Sequence, residues 1–162
     1  MKRNVLLFLL LVPLTIAHAA DVLTVKRLSM EMARDIAQAA VDSCRKQGYQ
    51  VTAVVVDRDA SPQVVMRDAL APRFTLQIAQ DKANAVILSG VASSEFRRNR
   101  SDIRMEMNHV DGVLVLEGGV PVRVAGSLVG AVGVSGAPGG DKDESCARAG
   151  VAAVQERLDF AE

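Results

Sequence analysis

The chain has 162 residues, a formal net charge of +0 and an aromatic content of 3%. A balanced charge gives no electrostatic footprint for nucleic acid, and the low aromatic content, with no tryptophan and one tyrosine, gives no sign of a stacking platform for bases. The composition therefore excludes a typical nucleic-acid-binding protein and favours a core of small and β-branched side chains.

Residues 1–20 have the pattern of a secretory signal peptide. Lysine and arginine at the second and third positions are followed by an apolar run at 5–12 and an A-x-A signal at 17–19. The apolar run is shorter than the roughly 20 residues that a membrane-spanning helix needs. We expect a cleaved leader, a periplasmic or secreted protein without a membrane span after cleavage, and one domain over 21–162.

The next residues predict a helix, a hairpin of two strands and a second helix. Ser29 can cap the first helix, whose apolar residues recur at helical spacing. The apolar run that follows is almost continuous and β-branched, which is typical of a strand buried on both faces. A polar turn separates it from a return strand. The predicted ranges are 30–46 and 73–88 for the helices and 51–56 and 63–67 for the strands.

The second half predicts a short helix capped by Ser93, then three strands and a final helix. Gly126-Ser127 is suited to a two-residue hairpin turn between the last two strands. The order of elements favours an α+β fold with an antiparallel five-stranded sheet and flanking helices over a doubly wound parallel fold. The predicted ranges are 113–116, 120–125 and 128–135 for the strands and 143–158 for the helix.

Both cysteines lie in predicted helices. In an oxidising compartment Cys44 and Cys146 would form a disulfide if those helices pack side by side. The alternative is a pair of buried thiols that act as small hydrophobes. The absence of a C-x-x-C pair argues against a thioredoxin-like redox site.

Candidate metal and haem ligands cluster near the middle of the chain. His109 follows Met105 and Met107, after an arginine-rich run that ends at Arg104. Histidine and methionine are common axial ligands of haem iron, and arginines can pair with its propionates. The alternatives are a solvated basic helix before an ordinary surface histidine, a soft Cu(I) site, or methionines that fill the core.

Three other kinds of site can be considered: a buried lysine, a serine nucleophile and a dinucleotide-binding loop. Lys82 lies among small residues on a mostly apolar helix, where burial would lower its pKa, although an exposed position is the alternative. Ser135 lies in no nucleophile-elbow motif, which argues against a hydrolase. The glycine-rich segment around it lacks the G-x-G-x-x-G spacing of a dinucleotide site.

Four segments together resemble the HbpS/GlcG-like haem-binding family, which includes the C-terminal domain of PduO-type corrinoid adenosyltransferases. They are Ser94-Glu95-Phe96, Gly118-Gly119-Val120-Pro121, Gly130-Ala131-Val132-Gly133-Val134-Ser135-Gly136 and Gly139-Gly140-Asp141-Lys142-Asp143-Glu144. The resemblance covers essentially the whole of 21–162. It implies a profilin-like fold, symmetric homo-oligomers and, in some members, binding of haem or a related tetrapyrrole.

The function expected from these observations is an exported, oligomeric protein that binds a small ligand, with haem as the possible cofactor. An enzyme acting on haem or a small organic acid in the same pocket, and a non-catalytic assembly subunit, remain alternatives. No catalytic residue is assigned, and His109 is the candidate ligand of haem iron. The candidate ligand-binding residues are His109, Met107, Arg104, Lys82, Glu95, Gly118, Gly119 and Ser135.

Overall fold

The computed structural model describes residues 23–161, so the predicted leader lies outside the described part. An antiparallel sheet has helices on both faces, which confirms the α+β prediction. The helices are α1 (Met30–Lys46), α2 (Phe74–Ser89), α3 (Ser93–Asn99), α4 (Arg104–Met107), α5 (Gly140–Ala152) and α6 (Gln155–Asp159). The strands are β1 (Thr52–Asp57), β2 (Pro62–Arg67), β3 (Gly119–Val124) and β4 (Ser127–Ser135).

The sheet has the strand order β2-β1-β4-β3, and all neighbouring strands are antiparallel. Side chains of β1 alternate between two cores, because successive residues of a strand point to opposite faces. Val55 packs with α1 and α5 on one face, and Val54 packs with α2 on the other. Coverage of both faces explains the almost continuous β-branched run of this strand. Among residues 23–161, no helix has both the length and the apolar character needed to cross a bilayer.

The prediction of a fifth strand at 113–116 was wrong, because the sheet has four strands. The backbone N–H of Leu114 donates to the Asp81 carbonyl (3.2 Å), and that of Val115 donates to the Asn108 side chain (2.9 Å). The side chain of Val115 is buried with Ala85 and Phe96. The apolar character of this segment therefore reflects packing against helices, without a neighbouring strand.

The hairpin between β3 and β4 lies one residue earlier than the predicted Gly126-Ser127 turn. Ala125 and Gly126 have φ values of 47° and 80°, and Val124 pairs with Ser127 across them. Two successive left-handed residues are typical of the turn type that matches strand twist. Ser127 therefore begins β4.

A disulfide joins α1 to α5, which decides between the two alternatives for Cys44 and Cys146. Their Cα atoms lie 5.5 Å apart. The helices approach closely at Gly150, where an added Cβ would lie 2.6 Å from the Ile36 carbonyl oxygen and 2.9 Å from the Ala40 Cβ. Small residues at this crossing bring the two sulfur atoms within bonding distance.

Candidate functional site

Lys82 is buried under the sheet, on the inner face of α2. Its side chain is 1% exposed, and its Nζ donates to Asp143 Oδ2 (2.7 Å) and to the Val134 carbonyl (3.0 Å). Burial lowers the pKa of Lys82, and the attraction of Asp143 opposes that shift. Burial likewise raises the pKa of Asp143 against the attraction of Lys82. Of the two alternatives for Lys82, the structure supports the buried one.

Gly118 and Gly119 let the start of β3 approach this lysine. A Cβ at Gly118 would lie 2.7 Å from both Lys82 Nζ and the Val134 carbonyl oxygen, and the φ of Gly118 is +129°. A Cβ at Gly119 would lie 2.5 Å from the Lys82 carbonyl oxygen. Ser135 follows Val134 on β4 and is buried. These predicted residues thus surround Lys82, where the glycines make room for its side chain.

Glu144 of α5 binds the first turn of α3. Its Oε2 accepts a hydrogen bond from the Ser94 backbone N–H (3.0 Å), and its Oε1 accepts from the Ser94 hydroxyl (2.7 Å) and from Arg148 (2.5 Å). The carboxylate therefore satisfies a helix N–H that has no partner within its own helix. Burial raises the pKa of Glu144, but the Ser94 and Arg148 hydrogen bonds together outweigh burial and leave the pKa lowered.

The predicted cap of α3 by the Ser93 side chain was wrong. Ser93 is the first residue of the helix, and its hydroxyl accepts a hydrogen bond from the Gly119 N–H (2.8 Å). Glu95 is half-buried, and its carboxylate accepts from Asn99 on the same helix (3.5 Å). Ser93 therefore links α3 to β3, while Glu95 bonds within α3.

A polar cavity of about 330 Å³ lies beside Glu144. Arg97 on α3 reaches toward it and lies 3.8 Å from Glu117. Three carboxylates, one guanidinium and two hydroxyls line this cavity, so the lining carries a net negative charge. The lining residues are Ser94, Glu117, Asp141, Glu144, Ser145 and Arg148.

A second concavity, here called the helical groove, lies between the end of α2, α3 and α4. Its volume is about 420 Å³, and most of its lining is apolar. Met107 is half-buried there and packs against the cluster of Ala85, Phe96 and Val115. The residues that define the groove are Leu88, Val91, Phe96, Arg100, Ile103 and Met107.

The three remaining candidates all come from the α4 region. Met107 lines the helical groove, Arg104 is half-buried on α4, and His109 is exposed just beyond the helix. The structure therefore divides most of the predicted residues into two groups, one around the buried lysine and one around α4, and leaves Glu95 on α3 in neither. Within 23–161, no cluster of three or more histidine, cysteine, aspartate or glutamate side chains is arranged to hold a metal ion.

Sequence reasoning missed the roles of Asp143 and Glu144. Acidic residues at the start of a helix are ordinarily explained by the helix dipole, and that explanation concealed their long-range partners. The available signal was Lys82 itself, because a lysine on an apolar helix face needs a buried carboxylate to offset its desolvation. Asp143 also accepts from the Ala137 N–H (2.9 Å), so it orders the loop before α5 as well.

An antiparallel sheet enclosed by helices, with a lysine–carboxylate network at one end, defines a small α+β domain. Residues 28–152 match the family model described as "Haem degrading protein HbpS-like", and the chain belongs to that family. This confirms the resemblance found in the sequence.

Two relatives and one further structure show how far the similarity extends. Protein GlcG of Escherichia coli (strain K12) is 32% identical over 109 residues, which cover 67% of this chain and 81% of GlcG. A crystal structure of a Streptomyces reticuli HbpS double mutant is 33% identical with a TM-score of 0.77, covering 85% of this chain and 94% of that one. The PduOC:Heme complex is 24% identical with a TM-score of 0.70, covering 79% and 95%, and shares the fold.

Proposed function

We propose that this chain is an exported, homo-oligomeric protein that binds haem or a related tetrapyrrole in the helical groove. Membership of a family described as haem degrading supports the ligand class. The structural neighbour PduOC, whose crystal structure is that of a complex with heme, supports it as well. The observation that carries the proposal is an apolar groove with a methionine sulfur in its wall and arginines on the neighbouring helix turns.

The chemistry of the groove fits the chemistry of haem. A volume of about 420 Å³ lies within the range of small-molecule sites, and the apolar walls suit a macrocycle. Arg100 pairs with Asp102, whereas Arg98 and Arg104 have no carboxylate within 4.0 Å among residues 23–161. Neither lines the groove, but both lie on the helices that form it, with guanidinium groups free to make charge-assisted hydrogen bonds to propionates that project from it. Bound haem would supply an iron centre suited to redox or sensing chemistry.

Export is supported by two observations. The leader pattern precedes the domain, and Cys44 and Cys146 form a disulfide. Disulfides of this kind persist in oxidising compartments and are rare in the bacterial cytosol. Gel filtration under oxidising conditions and mass determination of the exported protein test cleavage and the bond together.

Self-association is supported by an uncovered part of the sheet. β2 is an edge strand, and Val65, on the face that α2 covers elsewhere, is 48% exposed. Leu70 and Phe74, which follow along the chain, are 80% and 62% exposed. An exposed edge with apolar neighbours is typical of a surface that a second copy covers. Light scattering should give a mass larger than one chain, and Val65→Lys should reduce it.

A hemin titration of residues 21–162, followed by the Soret band, tests binding. Leu88→Gln changes a groove residue that is 55% exposed, and Leu76→Gln is its control on the same helix outside the groove. We expect saturable binding, weakened roughly fivefold or more by Leu88→Gln because apolar contact is lost, and unchanged by Leu76→Gln. No Soret shift in the unaltered protein would overturn the proposal. Equal weakening of hemin binding by both variants would show that hemin binds outside the groove.

Haem degradation is a second candidate, favoured by the description of the family. Hemin-loaded protein is incubated in air with ascorbate as reductant. A Soret band that decays faster with the unaltered protein than with Leu88→Gln supports turnover in the groove. A stable band supports binding alone.

A further inference from the structure

We infer that the thioether of Met107 is the protein ligand of haem iron in the helical groove, an inference that rests on the proposed function. The imidazole of His109 was the candidate from the sequence. The two residues are close in the chain, but the structure gives them different surroundings.

Met107 is held in the wall of the groove by the geometry of α4. Its backbone N–H donates to the Ile103 carbonyl (2.9 Å), and Ile103 and Met107 both line the groove. Residues four apart share a helix face, so one turn of α4 presents both side chains to the same space. Met105 lies two positions away, on the other side of the turn, and is 67% exposed.

His109 lies past the end of α4 and outside the lining of the groove. Its backbone N–H donates to the Glu106 carbonyl (3.0 Å), and its side chain is exposed. The adjacent Asn108 accepts from the Val115 N–H (2.9 Å), which fixes the turn against the segment that covers the groove cluster. These hydrogen bonds hold the backbone of the turn, and the imidazole is not among the side chains that line the groove.

Arg104 adds a cation on the same helical turn as Met107. It lies three positions before Met107, a spacing that places two side chains side by side on a helix. Arg104 is half-buried and has no carboxylate within 4.0 Å in the described chain. A soft sulfur donor and a propionate partner on one helical turn would fix both the iron and the edge of the macrocycle.

Thioether ligation has measurable consequences. Methionine as an axial ligand raises the haem reduction potential relative to histidine and gives a weak sulfur-to-iron charge-transfer band in the ferric state. The hemin complexes of four variants separate the two candidates: Met107→Leu, Met107→His, His109→Ala and Met105→Leu. Met105→Leu is the matched control because that methionine is exposed on the same short helix.

We expect Met107→Leu to retain hemin binding through the apolar walls but to lose the charge-transfer band and lower the potential. Met107→His should restore a strong axial ligand and lower the potential further. Met105→Leu and His109→Ala should match the unaltered protein in spectrum and potential. Circular dichroism of each apo-protein verifies the fold before hemin is added.

The outcomes distinguish a failure of haem binding from a failure of the assignment of Met107. Absence of hemin binding by the unaltered protein overturns the proposed function itself. Binding with a charge-transfer band that survives in Met107→Leu, or that disappears in His109→Ala, overturns the assignment of Met107 while leaving haem binding in place.

Discussion

The lysine–carboxylate network and the helical groove show opposite uses of polar side chains. In the network, Lys82, Asp143 and Glu144 are buried, and each has its hydrogen bonds within the protein. In the groove, most of the wall is apolar and includes Met107, while Arg104, on the same short helix but outside the lining, has no carboxylate within 4.0 Å in the described chain. The network therefore suits structure, and the groove suits a ligand. Changes in the network should affect stability first, and changes at the groove should affect hemin.

The largest stability effect is expected from Lys82→Met. It leaves the buried carboxylate of Asp143 without its ammonium partner, which should cost about 3–5 kcal/mol in free energy of unfolding. Urea denaturation measures the loss. Adding Asp143→Asn removes the orphaned charge, keeps an acceptor for Ala137 and should recover a large part of the stability. A single variant as stable as the unaltered protein would contradict the buried pair.

Loss of the disulfide comes next. Replacing Cys44 and Cys146 by alanine should destabilise the protein by about 2–5 kcal/mol, because the bond closes a loop across a separation of 102 residues. Denaturation with and without reductant measures the effect. Reductant should lower the stability of the unaltered protein alone, and an equal response of the double variant would show that the bond is not the cause.

Gly118→Ala should destabilise by about 2–3 kcal/mol, because the new Cβ meets Lys82 and the Val134 carbonyl at a left-handed backbone position. Gly48→Ala is the matched control, with φ +82° and open space around its Cβ. It should cost about 1 kcal/mol from backbone strain alone. Equal losses in thermal melts would show that both the Lys82 side chain and the Val134 carbonyl shift at little cost.

Glu144→Gln should change how the free energy of unfolding depends on pH in the acid range. The pKa of Glu144 is lowered in the folded state, so its stabilisation is complete above the unfolded pKa of about 4.3 and is lost as the pH falls through the lower folded value. At neutral pH the variant should be about 1–2 kcal/mol less stable. That difference should shrink as the pH falls through this window, and a constant difference at all pH values would exclude the mechanism.

The smallest stability effect is expected at the groove. Arg104→Ala should weaken hemin binding roughly threefold to tenfold, more at low salt, while changing stability by less than about 0.5 kcal/mol. Arg97→Ala is the control, since that guanidinium already lies 3.8 Å from Glu117. Equal weakening of hemin binding by both variants would indicate a general effect of charge and would contradict a specific role of Arg104.

Elements with a strong local signal were predicted well. The first helix was expected at 30–46 and is found at Met30–Lys46, with the Ser29 hydroxyl accepting from the Met32 N–H (3.2 Å). Gly90, in a left-handed conformation, closes α2. In both cases a few neighbouring residues determine the geometry, so the sequence pattern is sufficient.

Elements that depend on distant partners were not predictable in the same way. The apolar run at 113–116 has the composition of a strand, but the nearby helices bury it and bind its backbone. Lys82 and Asp143 are 61 residues apart, and periodicity carries no information about such a pairing. For the same reason, the sequence could not show that the candidate residues lie in different surroundings. Met107 and His109 are two positions apart in the chain, but only Met107 lines the groove.

The position of the two cysteines has a consequence for how the chain matures. With two cysteines in the sequence, one intrachain pairing exists, so oxidation cannot scramble the monomer and needs no isomerase to correct it. Cys146 lies 102 residues after Cys44, so the bond cannot form until the intervening chain has been made and α5 has docked. A trapped thiol at Cys44 would therefore mark molecules in which α5 has not yet docked against α1.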